Sequence, residues 1–405
     1  MITTELLAPA GNMKKLKTAL YFGADAVYIG GKNFSLRSFS DNFTENELTD
    51  AVKYTHSLGK KVYVTLNIFA RNYDFDGIKH YLSFLESINV DAVIVSDPGI
   101  ISIISSYAPK LSMHISTQAN TLNKYSAAFW AKNGVKRVIL ARELSLQEIK
   151  EIREYLPIDI ELEAFCHGAM CISYSGRCLL SDYFTGRSSN RGECVQACRW
   201  NYSIREKSKS GEWYDIEEDD KGTYILNSKD LNMISHLDEM FDSGIYSYKI
   251  EGRMKSEYYL ATIVNAYRRA LDAFKNQGYA YKNTAFFENE VAKTMHRAFT
   301  TAYSFGKNQS TINYDDTQSK GKRTFAAIVL GYDSTNGVAL VEMRNRFRST
   351  DILEVLTPNN YLNAQIPVIE MTNEKGEKVE DAYIVQQKLY IKTSLPLSPG
   401  DILRF

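Results

Sequence analysis

Apolar positions along the chain alternate between two rhythms. Short runs rich in β-branched and aromatic residues read as strands over Glu5–Ala8, Asp25–Gly30, Lys61–Asn67, Asp91–Asp97, Leu111–Gln118, Arg137–Arg142, Asp159–Cys166 and Tyr246–Glu251. Between them, apolar residues at helical spacing predict amphipathic helices over Asn12–Phe22, Glu45–Leu58, Phe75–Ile88, Asn123–Asn133 and Ser145–Tyr155. Gly23, Gly59 and Gly134 stand just past three of these helices, where a chain commonly turns out of a helix. Strand–helix alternation implies a parallel sheet. About eight such units fit a TIM-like (β/α) barrel better than an open sheet.

The rhythm breaks between Cys166 and Asn227, which reads as an insertion on the catalytic face of the barrel. Within it, the polar stretch Ser203–Gly222 predicts a hairpin, with Glu217–Asp220 as a solvated loop. Helices are expected again at Ser256–Lys275 and Phe286–Phe299. The polar sequence Gln318–Arg323 reads as a linker. Beyond it only short strands follow, at Phe325–Leu330, Gly337–Glu342, Ile352–Leu356, Ile366–Met371, Ala382–Gln386 and Leu389–Lys392. That pattern suits a small antiparallel barrel or sandwich. The expected organisation is thus an α/β TIM-like barrel over 1–317 with a cysteine-containing insertion at 166–227, then a small all-β barrel domain over 318–405.

Composition adds limits. At 405 residues the chain exceeds what one core usually supports. With 24% charged and 44% hydrophobic residues it is of ordinary globular type. Lys plus Arg and Asp plus Glu both number 48, so any nucleic-acid footprint must be a local patch. No run resembles a signal peptide, and none approaches the roughly 20 apolar residues of a membrane span. The expectation is a soluble cytoplasmic protein with no membrane partner. There, clustered cysteines read as metal ligands rather than disulfides.

All five cysteines fall between 166 and 198. Cys171, Cys178, Cys194 and Cys198 are spaced C-x6-C-x15-C-x3-C, with glycine and polar neighbours that let loops wrap an ion. Four thiolates suit a tetrahedral zinc or a cubane cluster. The spacing lacks the paired C-x2-C of a zinc ribbon, which favours iron–sulfur and leaves zinc as the alternative. Arg177, Arg191 and Arg199 would offset the thiolate charge. Cys166 ends an apolar strand face with Leu162 and Ala164 and is assigned to packing.

In a barrel, chemistry gathers at the C-terminal ends of the strands. Those ends carry Tyr28, Asn67, Asp97, His114 with Gln118, Arg142 with Glu143, Glu163 with His167, and Lys249, Glu251 and Arg253. Glu163, His114, His167, Lys249 and Glu251 are the catalytic candidates. Arg37, Asn67, Gln118, Arg142 and Arg253 are the substrate-binding candidates, with Arg37 as an anion clamp. Lys249, Glu251 and Arg253 alternate along one strand and so share a face. A charged group pointing into a barrel needs a partner, which suggests a pair of Glu163 with Lys249 or Arg253. The competing readings are a structural ion-pair ladder and hydrogen-bonded structural histidines. No H-E-x-x-H, G-x-S-x-G, P-loop or G-x-G-x-x-G is present in the sequence.

The segment EAFCHGAMCISYSGRCLLS, from Glu163 to Ser181, resembles the signature of the collagenase-like U-type peptidase family, family U32. ELLAPAGN, GADAVYIGG, STQAN and KIEGRMKS are similar to further segments of that family, so the resemblance covers essentially the whole chain. The order of motifs most resembles the branch that makes 5-hydroxyuridine at the wobble position of tRNA. The resemblance implies a TIM-like barrel followed by a small β-domain. It also implies a four-cysteine iron–sulfur cluster (4Fe-4S) on Cys171, Cys178, Cys194 and Cys198, with prephenate as co-substrate. The implied partner is the tRNA anticodon loop, and a homologous partner subunit is left open. Arg37, Lys249 and Arg253 would hold the dicarboxylate or a phosphate. A peptidase ranks second, and a non-catalytic RNA-binding protein with a structural metal third.

Overall fold

The computed structural model describes residues 4–32, 34–35, 42–171, 173–200, 228–281, 284–306, 320–393 and 395–405. Arg37, most of the expected linker's first residues (318–319), the Ser203–Gly222 hairpin and the side chain of Arg199 lie outside the described residues.

Eight parallel strands close on themselves: β1 Glu5–Pro9, β2 Ala26–Gly30, β3 Lys61–Leu66, β4 Ala92–Val95, β5 Met113–Ile115, β6 Val135–Ile139, β7 Glu161–Ala169 and, after a short β8 at Asp230–Asn232, β9 Ser247–Ile250. The ring is completed by β9, whose Ser247 stands opposite Glu5 of β1 on one side and Glu163 of β7 on the other. β8 runs antiparallel to the end of β7 and pairs with β10 Phe299–Thr300, a ribbon outside the ring. The TIM-like expectation is met.

Helices α1 Met13–Tyr21, α2 Glu45–Ser57, α3 Ile78–Ser87, α4 Pro98–Tyr107, α5 Lys124–Lys132 and α6 Leu146–Tyr155 alternate with the strands. Their starts are written in the sequence. Asn12 and Asn123 accept from Lys15 N and Ser126 N, while Thr44/Glu47 and Ser145/Glu148 form reciprocal capping boxes. α4 was not anticipated. Its sequence, PGIISIISSY, is rich in β-branched isoleucine and lacks a charged face, and Asp97 with Pro98 starts it. Asp97 is therefore a cap, accepting from Ile100 N at 3.1 Å, rather than a site residue.

After β7 comes the excursion, with α7 at Leu180–Thr185 and single turns at Ser189–Arg191 and Ala197–Arg199. α8 Leu237–Asp242, α9 Glu257–Gln277 and α10 Thr284–Val291 follow. α10 is shorter than the expected Phe286–Phe299 helix, because Phe299 and Thr300 leave to pair with Asp230 and Leu231.

The C-terminal residues form an antiparallel sheet of β11 Phe325–Asp333, β12 Val338–Met343, β14 Ile352–Leu356, β15 Gln365–Pro367, β16 Met371–Asn373, β18 Lys388–Lys392 and β19 Ile402–Arg404. The small pair β13 Phe347–Arg348 and β17 Asp381–Ala382 stands beside it. This sheet curls round its own core of Val329, Val341, Leu353, Ile391 and Leu403. It docks on the barrel through both apolar and polar contacts: Leu356 and Ile402 join the barrel's core, and Phe325 stacks on Tyr258 of α9 at 5.6 Å. Arg404, fully buried, donates to Glu354 and Asn363 of its own domain and to Glu290 of α10 at 2.7, 2.8 and 3.0 Å.

Candidate active site at the barrel mouth

Parallel strands alternate side chains between the lumen and the helix layer. On the lumen side the strands carry charge. Arg137 of β6 is almost fully buried, and its guanidinium meets Glu5 at 2.6 Å, Glu161 at 2.6 Å and Glu163 at 3.0 Å. Tyr63 donates to Glu5 at 2.6 Å and Ser247 donates to the other oxygen of Glu5 at 2.8 Å. Above this floor, Lys249 binds Glu163 at 2.7 Å and lies over the Tyr28 ring at 4.5 Å. Burial alone would raise the Glu163 carboxyl, but Lys249 and Arg137 outweigh it and hold it below the usual carboxylate range. Of the two pairs anticipated for Glu163, the structure forms the one with Lys249.

Towards the rim, Arg142 donates to Ala169 O at 2.8 Å and lies over the Phe165 ring at 4.3 Å, with Lys249 5.4 Å from the same ring. Tyr28 Oη donates to Ile250 O at 3.0 Å and stands 3.3 Å from Glu251 Oε2. Arg253 leans towards the β2–α2 connection, donating to Ser35 Oγ at 2.8 Å and to Asn42 Oδ1. Gly30 permits that approach, since a Cβ there would lie 2.0 Å from the Arg253 guanidinium. Gly168 (φ +113°) does the same for the end of β9, where a Cβ would meet Glu251 O at 2.5 Å.

His114 packs edge-on to Tyr63 at 4.7 Å, and burial, then Arg137 and Lys249, keep its imidazole neutral well below the usual histidine range. Its Nδ1, Asn67 Oδ1 and Ser96 Oγ are buried with no hydrogen-bond partner among the described residues. Such orphans at strand ends mark where water or ligand atoms belong. Gln118 is buried beside them, its Oε1 3.4 Å from Ser116 Oγ.

His167 goes elsewhere. A register shift in β7 between Phe165 and His167 turns it towards α9, where Nδ1 is 3.3 Å from Tyr267 Oη and the ring packs against Tyr259 and Phe299. Burial lowers its pKa to about 3. Cys166 is fully buried, donates to Lys249 O at 3.4 Å, and burial pushes its thiol well up. The neighbouring cysteine and histidine therefore serve packing, as expected for Cys166, and the structure keeps His167 apart from Glu163 and Lys249.

The cysteine excursion lies over this rim. Asn120 Nδ2 donates to Ser175 O at 2.9 Å, and Arg191 forks onto Asp74 at 2.9 and 3.0 Å while also reaching Phe69 O at 2.7 Å. The Arg191 fork holds the Asp74 carboxyl low. Cys171 lines a small recess with Arg142, Glu143, Thr117 and Ser175. Cys178 O accepts from Ser189 Oγ at 2.7 Å and Asn190 Nδ2 at 3.1 Å. Gln196 N lies 3.4 Å from Cys194 Sγ. No cysteine is disulfide-bonded among the described residues. Among those residues, no three His, Cys, Asp or Glu side chains converge closely enough to hold a metal ion. The donor chemistry fits a cluster: four thiols on one loop excursion, one with an amide aimed at its sulfur.

Sequence reading missed Glu5, Arg137 and Asp74. Glu5 and Arg137 were visible only as charges inside apolar strands, and Asp74 stands far from Arg191 in sequence.

A family model described as peptidase family U32 matches residues 11–313, and one described as the peptidase family U32 C-terminal domain matches residues 322–404. The chain is 39% identical to tRNA hydroxylation protein P1 of Bacillus subtilis, covering 99% of this chain and 94% of that one. It is 34% identical to tRNA hydroxylation protein P of Escherichia coli, covering 99% and 92%. It is 32% identical to the 23S rRNA 5-hydroxycytidine C2501 synthase of Escherichia coli, covering 93% of this chain and 56% of that protein. Matched along nearly its whole length, the chain belongs to peptidase family U32.

Proposed function

We propose that this protein is a tRNA hydroxylase that oxidises C5 of the wobble uridine, using prephenate as co-substrate and an iron–sulfur cluster on Cys171, Cys178, Cys194 and Cys198. The observation that carries the reading is the end-to-end likeness to two tRNA hydroxylation proteins. The rRNA relative adds a second RNA pyrimidine that receives a hydroxyl at the same ring position.

The residues fit the chemistry asked of them. Side chains supply no oxidant for an aromatic C–H bond, so a cofactor must. A cluster on the four cysteines would supply electron transfer or a Lewis-acidic iron at the rim. The chain's own groups bind and orient. Arg142 and Lys249, both close to the Phe165 ring, offer two positive charges to a dicarboxylate. Glu163 fixes the Lys249 ammonium in place, and neutral His114 and Asn67 turn unpaired polar atoms towards whatever enters. An anticodon loop presents bases already unstacked, so one nucleotide can enter the mouth without melting a duplex.

The test is nucleoside mass spectrometry of tRNA from a strain lacking this gene and any second copy. Loss of 5-hydroxyuridine and its derivatives is expected, restored by the wild-type gene but not by Cys178→Ser. Unchanged tRNA would sink the reading. Anaerobically purified protein should carry about four irons with matching sulfide, whereas zinc alone would remove the cluster from the proposal.

A further inference from the structure

A cleft of about 480 Å³ opens on the rim between the β2–α2 and β3–α3 connections and the cysteine excursion. That volume suits a small organic ligand. Phe34, Ile68 and Tyr73 form its apolar walls, and Lys32, Ser35 and Arg191 add polar atoms. Tyr73 is 64% exposed, with Arg191 5.5 Å from its ring. Phe34 holds φ at +61°, a left-handed conformation that a bulky residue adopts only when its surroundings impose it. Its ring stays on the wall, 5.6 Å from Tyr81.

Charge decides what fits. Lys32 and Arg191 are matched by Asp74 and Glu193, and Arg191 is already forked onto Asp74. A dianion gains little here, while a neutral planar ring between two aromatic walls, with one phosphate near Lys32, suits every lining group. Glu193 adjoins Cys194, so whatever occupies the cleft borders the proposed metal ligands.

We propose that this cleft is a nucleotide subsite, in which Tyr73 stacks an unpaired base of the substrate RNA and Lys32 meets its phosphate. The inference rests on the RNA-substrate reading above and assigns the acid co-substrate elsewhere, to the Arg142–Lys249 side of the mouth.

The test uses the full chain and a fluorescently labelled anticodon stem-loop carrying a wobble uridine, with binding followed by anisotropy. Tyr73→Ala should weaken binding about tenfold, Tyr73→Phe should restore it, and Lys32→Ala should weaken it and lower the salt slope by about one. Tyr125→Ala, an equally exposed aromatic on α5, should bind as the wild type does. Circular dichroism confirms that each variant folds. Wild-type affinity in both Tyr73→Ala and Lys32→Ala overturns the subsite while leaving the hydroxylase reading intact. A rise in the KM for the acid co-substrate without loss of RNA affinity does the same. Failure of the wild type to bind any stem-loop defeats the RNA reading itself, and the subsite with it.

Discussion

Glu163 is the hinge of the buried charge network, and replacing it with glutamine tests that network directly. The carboxylate is fully buried, 2.7 Å from Lys249 and 3.0 Å from Arg137. Glutamine keeps the shape and offers one carbonyl oxygen but no charge. Arg137 retains Glu5 and Glu161, whereas the Lys249 ammonium loses its Glu163 carboxylate and keeps the Tyr28 and Phe165 rings. Removing one member of a buried pair costs about 3–5 kcal/mol, and the residual amide contact places the Glu163→Gln effect near the lower end, about 3 kcal/mol. The matched change Glu163→Leu with Lys249→Met removes both charges together. It should recover at least about 2 kcal/mol relative to Glu163→Gln, because apolar replacement of a whole buried pair is often neutral. Urea unfolding at pH 7 followed by far-UV circular dichroism measures both. If Glu163→Gln lies within about 1 kcal/mol of the wild type, the pair contributes no more than a solvated one and the lumen is wetter than described.

Two further outcomes follow from buried groups elsewhere. His114 and His167 are fully buried and neutral, with folded-state pKa values depressed by burial, that of His167 to about 3. The unfolded chain takes up these protons first, so stability is full above the unfolded histidine pKa and falls as pH drops below it. Between pH 7 and 5 each histidine should cost about 2 kcal/mol. A pH-independent urea midpoint across that range would refute the assignment, and His167→Phe should flatten the dependence by about half. Arg404→Met should cost about 3–5 kcal/mol, because Glu290 and Glu354 then share Lys293, with Arg323 reaching only Glu354 at the edge. Calorimetry should show the C-terminal sheet melting ahead of the barrel, and a single unshifted transition would mean that apolar contacts alone dock it.

The barrel was legible because its cues are local. Asn12, Thr44, Asn123 and Ser145 announce helices that begin where they were expected, and the observed strands fall within or overlap each of the eight apolar runs. α4 escaped because its pairs of β-branched isoleucines, separated by serine and without a charged face, suit a buried strand as well as a helix. β19 escaped because its three residues stand at the chain's end and are fixed only by pairing with β11 and β14. At the site, the need of a lumen carboxylate for a partner correctly anticipated the pairing of Glu163 with Lys249. Parity along the strand failed at His167, where an irregularity in β7 reverses the side chain, and no sequence signal marks that shift. Partners from distant segments, such as Asp74 for Arg191, are visible only once the chain is folded.

A barrel lumen gains stability most simply from layers of branched apolar side chains. Here Glu5, Arg137, Glu161 and Glu163 form the floor instead, with Lys249 paired to Glu163 above it, although buried ion pairs seldom improve on apolar packing. Their effect is directional. The Glu163 carboxylate of that floor holds the Lys249 ammonium near the Phe165 ring, which Arg142 also covers. On the adjacent rim, the Arg191–Asp74 fork fixes the cysteine excursion three residues before Cys194. Arg142 and Lys249, the aromatic cleft and the cysteine excursion therefore open on the same face. A reaction that brings together an RNA base, an acid and a redox or Lewis-acid centre requires that convergence. If Arg191→Ala left both cluster content and RNA affinity unchanged, the excursion would be held by something other than this fork, and the argument from convergence would lose its structural basis.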